Sequence, residues 1–516
     1  VTALLHPLLQ AAASGLLLWL AFPGGGAMPA LLAVALAPLF ATLRLGTPRM
    51  AALAGLSAGL VHHLLLLYWI TIVLSTYGGL PWFLSGPALL LLALYMSLYW
   101  ALFALGARLA LDTLPPWACL WLLPALWVGL DWLRSLLFSG FPWMDLGYAL
   151  AGQPLLIQTA DLVGHYGLTY VIVLVNLLVV LLLRHRRHRP TLAALILPAC
   201  LLLLCAGLYT RQRLAEVKTL TEEAPRITLG VVQGNIDQAV KWSPQQLQKT
   251  VDSHLQLSEK LAADPAPQLL VWPETALPHY PLDEMLMRRL ETLLLRHQVA
   301  LLSGVPWLEM SARPTGKPPL YNSALLLDRR GKVAGLYHKS HLVPFGEYVP
   351  LQELLPFIAP LVQAVGDFSA GTIESPLPLG DARLGVLICF ESVFPELSRR
   401  WVAAGANLLV NLTNDAWYGR SSAPQHSLAM AVLRAVETRR SLVRSANTGI
   451  SAYIEPSGAI SARSEIFVPW AEKRGVALLD EKTVWMRFGH LFAPLSLAAG
   501  FFAVALASTL RRRRKE

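Results

Sequence analysis

The stretch Leu384-Gly385-Val386-Leu387-Ile388-Cys389-Phe390-Glu391 carries an apolar run into a thiol and then a carboxylate. A short apolar run of this kind reads as a buried strand, which places Cys389 at the strand's carboxyl end. Layered α/β proteins gather their active sites at such ends. Two further segments are as strongly patterned. Val271-Trp272-Pro273-Glu274-Thr275 presents a carboxylate, and Tyr337-His338-Lys339-Ser340-His341-Leu342-Val343-Pro344-Phe345-Gly346-Glu347 presents an ammonium. The other three cysteines (Cys119, Cys200 and Cys205) lie in lipid-like apolar stretches. Cys389 therefore has no soluble partner for a disulfide, and reactivity is its expected role.

Only 14% of the 516 residues are charged and 55% are hydrophobic, against roughly 25% charged in an ordinary soluble domain. The deficit is local. Residues 8–209 are mostly Leu, Ala, Val, Trp and Phe, 211–487 read as a globular sequence, and 488–510 are apolar again. The expected domains are 1–210, a membrane domain with seven transmembrane helices; 211–487, a catalytic domain long enough to bury one large core; and 488–516, an eighth transmembrane helix with a basic tail. The expected spans are 8–22, 29–45, 51–75, 84–107, 116–132, 163–183, 191–210 and 489–510. Each is near the ~20 residues that cross ~30 Å of hydrocarbon. The first is expected to be a retained signal anchor, because another span follows it.

The net charge of +10 is partly a membrane signature, since Arg184–Arg189 and Arg511–Lys515 both flank apolar segments. Beside such segments a basic cluster points to lipid and not to nucleic acid. Arg44 and Arg49 lie between spans two and three, Arg108 between four and five, and the Arg/His run between six and seven, whereas loops 23–28 and 76–83 carry no charge. Positive-inside alternation then places both termini in the cytoplasm and 211–487 on the far, periplasmic side of a bacterial inner membrane. The aromatic segment 131–148 reads either as an interfacial belt or as a lipid entry groove with Arg134 near a phosphate.

In 211–487 short apolar runs alternate with amphipathic stretches. Strands are expected at 227–233, 268–272, 299–305, 322–328, 383–389, 407–412, 441–446, 449–454 and 475–480, and helices at 244–263, 282–297, 394–404 and 424–440. Pro244 and Pro424 suit first-turn positions. The alternation implies an α/β layered fold beside the multi-span helical domain. No metal spacing or phosphate loop is present, so no cofactor is expected. His338 and His426 are isolated and read as structural. The 311–319 and 352–372 segments have the composition of mobile arms.

A thiol with an ordinary pKa near ~8.5 is mostly protonated at neutral pH and needs a base or a positive field. Glu274 supplies the base if its apolar flanks keep it in a partly dry pocket. Lys339 favours the thiolate and donates to the oxyanion of a tetrahedral intermediate, with the Phe390 N–H as the natural second donor. Glu347 and Glu391 lie close in sequence to the lysine and the thiol and are placed to orient the ammonium or hold it protonated.

A Glu–Lys–Cys set in this chain order, each residue in its own motif, resembles the nitrilase (carbon–nitrogen hydrolase) superfamily. The stretches Asn411-Leu-Thr-Asn-Asp-Ala-Trp417-Tyr-Gly and Arg444-Ser-Ala-Asn-Thr-Gly-Ile-Ser-Ala452, with the eight spans, narrow the resemblance to the apolipoprotein N-acyltransferases. It implies an α-β-β-α sandwich and catalytic residues Glu274, Lys339 and Cys389. It also implies that Cys389 takes an acyl chain from a phospholipid, typically phosphatidylethanolamine, as a thioester. The amine of a diacylglyceryl-cysteine on an apolipoprotein then receives it, which completes bacterial lipoprotein maturation. By the same resemblance Trp242, Glu347, Phe390 and Trp417 line or gate the entrance, although packing accounts equally well for the two tryptophans. Phe390 stands where many such proteins have Tyr. A membrane-tethered amidase acting on a small amide fits the same three residues, but leaves the spans unexplained. A transporter or scaffold with an inactive outer domain is disfavoured by the intact triad and by the few charges inside the spans.

Overall fold

The computed structural model describes residues 2–238, 244–263, 265–277, 284–309, 318–348 and 368–514, with the side chains of 2–4 and 244–247 excepted. Trp242, much of the 311–319 segment and most of the 352–372 segment lie outside the described residues. The chain divides into two compact units: Val1–Thr71 with Trp82–Leu214 and Arg487–Glu516, and Ile72–Pro81 with Ala215–Met486.

The first unit is helical. Among the described residues six helices are long and apolar enough to cross a membrane: Pro48–Leu66, Trp82–Thr113, Pro116–Arg134, Ala160–His185, Arg189–Glu223 and Gly489–Arg513. Leu5–Ala21 and Pro29–Thr42 are apolar but shorter. The second expected span is a 3₁₀ turn, Pro29–Ala33, followed by the helix Ala37–Thr42, each with proline in its first turn. The third stops at Leu66, and the chain continues as Trp69–Ile72 and a π-turn at Val73–Tyr77. Glycines let the last helix touch Pro116–Arg134. An added Cβ at Gly129 would stand 2.4 Å from Leu497 Cα, and one at Gly500 2.6 Å from Leu126 Cα. Close backbone contact of this kind gives helices in lipid their dispersion energy.

The 131–148 segment is divided: Leu136, Leu137 and Phe138 are exposed, whereas the charged residues and the 143–148 stretch are interior. Trp143 and Tyr148 are buried. Arg134 bonds Asp145 and, at 3.3 Å, Asp131, and Asp145 also meets His165 Nε2 at 3.0 Å. With two carboxylates on it, the Arg134 guanidinium is taken up inside the fold.

The second unit is an α-β-β-α sandwich, with twelve strands among the described residues. They are β1 Arg226–Gln233, β2 Leu269–Val271, β3 Ala300–Leu308, β4 Leu320–Leu327, β5 Val333–His338 and β6 Leu377–Leu379. They continue as β7 Ala382–Ile388, β8 Leu408–Thr413, β9 Ser441–Ala446, β10 Ala452–Ile454, β11 Ile460–Arg463 and β12 Trp470–Ala477. One sheet has the order β12-β1-β2-β3-β4-β5 and the other β11-β10-β9-β8-β7-β6. Each keeps three parallel strands at its heart, β1-β2-β3 and β7-β8-β9. These strands are covered on both faces, so they read as continuous apolar runs. Helices Pro244–Leu261 and Glu284–His297 are the crossovers of the first sheet, and Pro395–Ala403 and Ala423–Thr438 those of the second. Leu255, Leu290 and Leu294 pack with Trp272 and Leu301 into the core between helices and first sheet. The sheets meet through polar pins. Tyr453 Oη donates to Leu229 O at 2.8 Å, and Ser445 Oγ bonds Val232 O and Val271 O at 3.2 Å.

Candidate active site

Four strand ends converge. Glu274 stands in the turn after β2, Lys339 follows β5 directly, Cys389 follows β7, and Thr413 closes β8. Glycine makes the first placement possible. An added Cβ at Gly304 of β3 would sit 2.4 Å from Thr275 N and 2.5 Å from Glu274 Cα, so only glycine lets the Glu274 turn lie on β3. Cys389 has φ +52° and opens the 3₁₀ turn Cys389–Val393. That left-handed conformation costs a residue with a Cβ about 1–2 kcal/mol. Such strain persists where the surroundings hold it, commonly at functional sites.

The strained turn is braced by Glu391. One of its oxygens accepts from Ile388 N at 2.7 Å, beside the thiol's own residue. The other accepts from Tyr337 Oη at 2.7 Å, Ser340 N and Oγ at 2.8 Å, and His341 N at 3.1 Å. Burial raises the Glu391 carboxyl above its ordinary value, and these donors oppose the rise. Glu391 thus fastens the cysteine turn to the segment that carries Lys339. Its hydrogen bonds run to residues on either side of the lysine, not to the ammonium.

Lys339 is only 1% exposed. Its Nζ lies 2.9 Å from Glu347 Oε2, 3.0 Å from Glu347 Oε1 and 3.8 Å from Glu274 Oε1. Burial alone would lower its pKa, but the charges of Glu347 and Glu274 outweigh burial and raise it above the ordinary lysine value. The ammonium is therefore a permanent cation. Glu347 is fixed in turn by Val343 N at 2.9 Å. Asn322, on β4, donates through Nδ2 to Glu274 Oε1 at 2.8 Å and to Glu347 Oε1 at 2.7 Å.

Cys389 keeps part of its surface accessible. Burial and the Glu274 charge push its thiol up to about 12, against the opposing pull of Lys339 and a hydrogen bond with Thr413. The resting Cys389 side chain is therefore a neutral thiol beside a carboxylate and an ammonium. Beside the neutral thiol the Thr413 hydroxyl gives its one proton to Asp415 Oδ1 at 3.0 Å, and Asp415 is held by Arg444 Nη2 at 2.8 and 3.0 Å. Tyr418 is half-buried in the turn that carries Asp415, and burial, with the Asp415 charge, raises its phenol well above its ordinary value.

Phe390 packs edge-on against Phe394 at 5.1 Å and lies 6.1 Å from the His341 ring. Trp417 is half-buried in the 3₁₀ turn Asp415–Tyr418 and meets the Tyr77 ring edge-on at 5.7 Å. Tyr77 belongs to Ile72–Pro81, which packs with this unit. His338 bonds Ser323 Oγ at 2.7 Å and stacks on Tyr321 at 4.1 Å. Asn322, Tyr337, Thr413, Tyr418 and Arg444 were not singled out from the sequence. Thr413, Tyr418 and Arg444 lie in the two long motif stretches and Tyr337 opens the lysine motif, and these were the only signals for them.

Two families match this chain. The one described as "Apolipoprotein N-acyltransferase N-terminal domain" covers residues 14–178, and "Carbon-nitrogen hydrolase" covers 228–472. Among curated relatives, the apolipoprotein N-acyltransferase of Geobacter metallireducens is 41% identical over 97% of this chain and 95% of that protein. The corresponding proteins of Gloeobacter violaceus and Azotobacter vinelandii are 36% and 35% identical, over 95% and 94% of this chain and 92% and 91% of theirs. Among solved structures, an amidase from Nesterenkonia sp. AN1 is 21% identical, with 52% of this chain and 99% of that one covered and a TM-score of 0.37.

Proposed function

The chain belongs to the apolipoprotein N-acyltransferase family, and on that premise we propose that it moves an acyl chain from a phospholipid to the N-terminal amine of diacylglyceryl-cysteine on an apolipoprotein. The observation that carries this reading is the Lys339 ammonium held by Glu347 and Glu274 beside the Cys389 thiol. The relatives match along both units, so the apolar helices belong to the same machinery as the sandwich.

In the first half-reaction Cys389 Sγ attacks the ester carbonyl carbon while Glu274 takes the thiol proton. Lys339 faces the oxyanion, a contact worth about 3 kcal/mol of barrier in comparable sites, and the Phe390 N–H is the second donor. Collapse breaks the C–O bond, and Glu274 returns its proton to the departing lysophospholipid oxygen. A thioester on Cys389 remains. In the second half-reaction the acceptor amine attacks the thioester carbonyl, Glu274 takes a proton from nitrogen, and collapse to the amide returns that proton to sulfur. Because the resting thiol stays neutral, its proton leaves as the carbon–sulfur bond forms.

Glu347 and Glu391 act as positioning residues, and Trp242 and Trp417 line the entrance. Phosphatidylethanolamine is the favoured donor. The expected domains and sidedness put 211–487 on the periplasmic side of the inner membrane with both termini cytoplasmic, which keeps the site among lipid-anchored substrates and raises their effective concentration. The test is C389S with phospholipid and a diacylated lipopeptide. Wild type must yield N-acyl lipopeptide and lysophospholipid, and C389S neither. Free fatty acid with no acylated peptide would mark a hydrolase instead.

A further inference from the structure

We infer that Asn322 is a positioning residue of this reaction, holding the Glu274 and Glu347 carboxylates together around Lys339. The inference rests on the acyl-transfer reading above, since it assigns Glu274 the proton transfers. Asn322 is 3% exposed. One Nδ2 serves both carboxylates, at 2.8 and 2.7 Å. Its backbone carbonyl accepts from Lys339 N at 2.8 Å, so one residue touches the base, the lysine segment and the lysine's anchor.

Two carboxylates on one ammonium leave an excess negative charge in a nearly dry pocket. A donor shared between them offsets their repulsion without adding charge. By occupying Glu274 Oε1 on the lysine side, the amide also sets the rotation of the carboxylate and so the direction from which its other oxygen meets the thiol. A geometric constraint of this kind acts on the reacting atoms, where small displacements are costly.

The amide oxygen shows what this arrangement costs. Asn322 Oδ1 is buried with no hydrogen-bond partner among the described residues. A buried acceptor left unpaired is unfavourable, and native structures keep few of them. Reversing the amide would aim Oδ1 at two carboxylates. Asn322 thus keeps its unfavourable end unpaired so that both N–H groups serve the acids. A residue selected only for packing has no reason to do so, and leucine would fill the same volume.

The test compares purified N322L (same size, no donor), N322D (same shape, an added acid) and N322S (one small donor) with wild type. Turnover uses phospholipid vesicles and a diacylated lipopeptide, with thermal melting measured in parallel. N322L and N322D are expected to lose about 30-fold or more in kcat while KM for phospholipid stays within about twofold, because the loss falls on the transition state. N322S is expected to fall between them and wild type. A kcat within threefold of wild type in folded N322L or N322D overturns the inference, as does an effect confined to KM. Failure of all three to fold also overturns it, by making Asn322 purely structural. If wild type itself forms no acyl-enzyme, the acyl-transfer reading fails first. Asn322 is then judged by iodoacetamide alkylation of Cys389, which N322L must change at least threefold if the amide fixes the charge beside the thiol.

Discussion

The reactivity of Cys389 toward a small alkylating agent reports directly on the electrostatics of the site. With its thiol pushed up to about 12, forming the free thiolate at pH 7 would cost about 7 kcal/mol. Alkylation by iodoacetamide, which follows the thiolate fraction, should therefore be slow at pH 7 and rise about tenfold per pH unit up to pH ~11. An ordinary cysteine would level off above pH ~9. The signs of two substitutions follow from the causes of the shift. Glu274 raises the thiol, so E274Q should bring the rise to lower pH and speed alkylation at pH 9. Lys339 lowers it, so K339M should slow alkylation at the same pH. Acyl transfer should fall in both, by about 10²–10⁴ for loss of the base. E274Q would thus make the sulfur more reactive and the enzyme less active. The assay is mass-spectrometric rate measurement on the Cys389 peptide across pH 6–11 in detergent. A plateau below pH 8, or parallel loss of alkylation and transfer in E274Q, would refute a neutral resting thiol.

Two further perturbations test the scaffold around it. G304A should force the Glu274 turn off β3, because the new Cβ meets backbone atoms at 2.4–2.5 Å. Overpacking of that kind costs about 1–3 kcal/mol, and a displaced base about 10² in rate, so wild-type melting and turnover together would contradict the placement. E391Q turns one accepting oxygen into a donor facing other donors. Melting should fall by the equivalent of about 3 kcal/mol with transfer nearly lost, and a variant that melts with wild type would show that Glu391 does not brace the cysteine turn.

The interior strands were readable and the edges were not. All eight interior strands, β1 to β4 and β7 to β10, coincide with expected runs, because covered strands show as apolar stretches. The four strands missed or misplaced, β5, β6, β11 and β12, are the four sheet edges. Residues such as Val333, Ala334, Ser461 and Arg463 face outward there and blur the pattern. In the helical unit, mean hydropathy marked apolar segments but not their breaks, so the 29–45 span hid a 3₁₀ turn. Glu274 and Cys389 stood out because each ends an apolar run. Asn322 did not, since a polar residue in a strand shows its purpose only when distant segments fold against it. Arg134 misled for the same reason: its carboxylate partners are brought to it by the fold.

In the proposed reaction Cys389 carries the acyl group between donor and acceptor. Purified protein incubated with a phospholipid of defined chains, without acceptor, should gain the mass of one acyl group on the Cys389 peptide. The adduct should be labile to hydroxylamine and should disappear when diacylated lipopeptide is added. An unmodified Cys389 in protein that still acylates the lipopeptide, or an adduct on another residue, would contradict it.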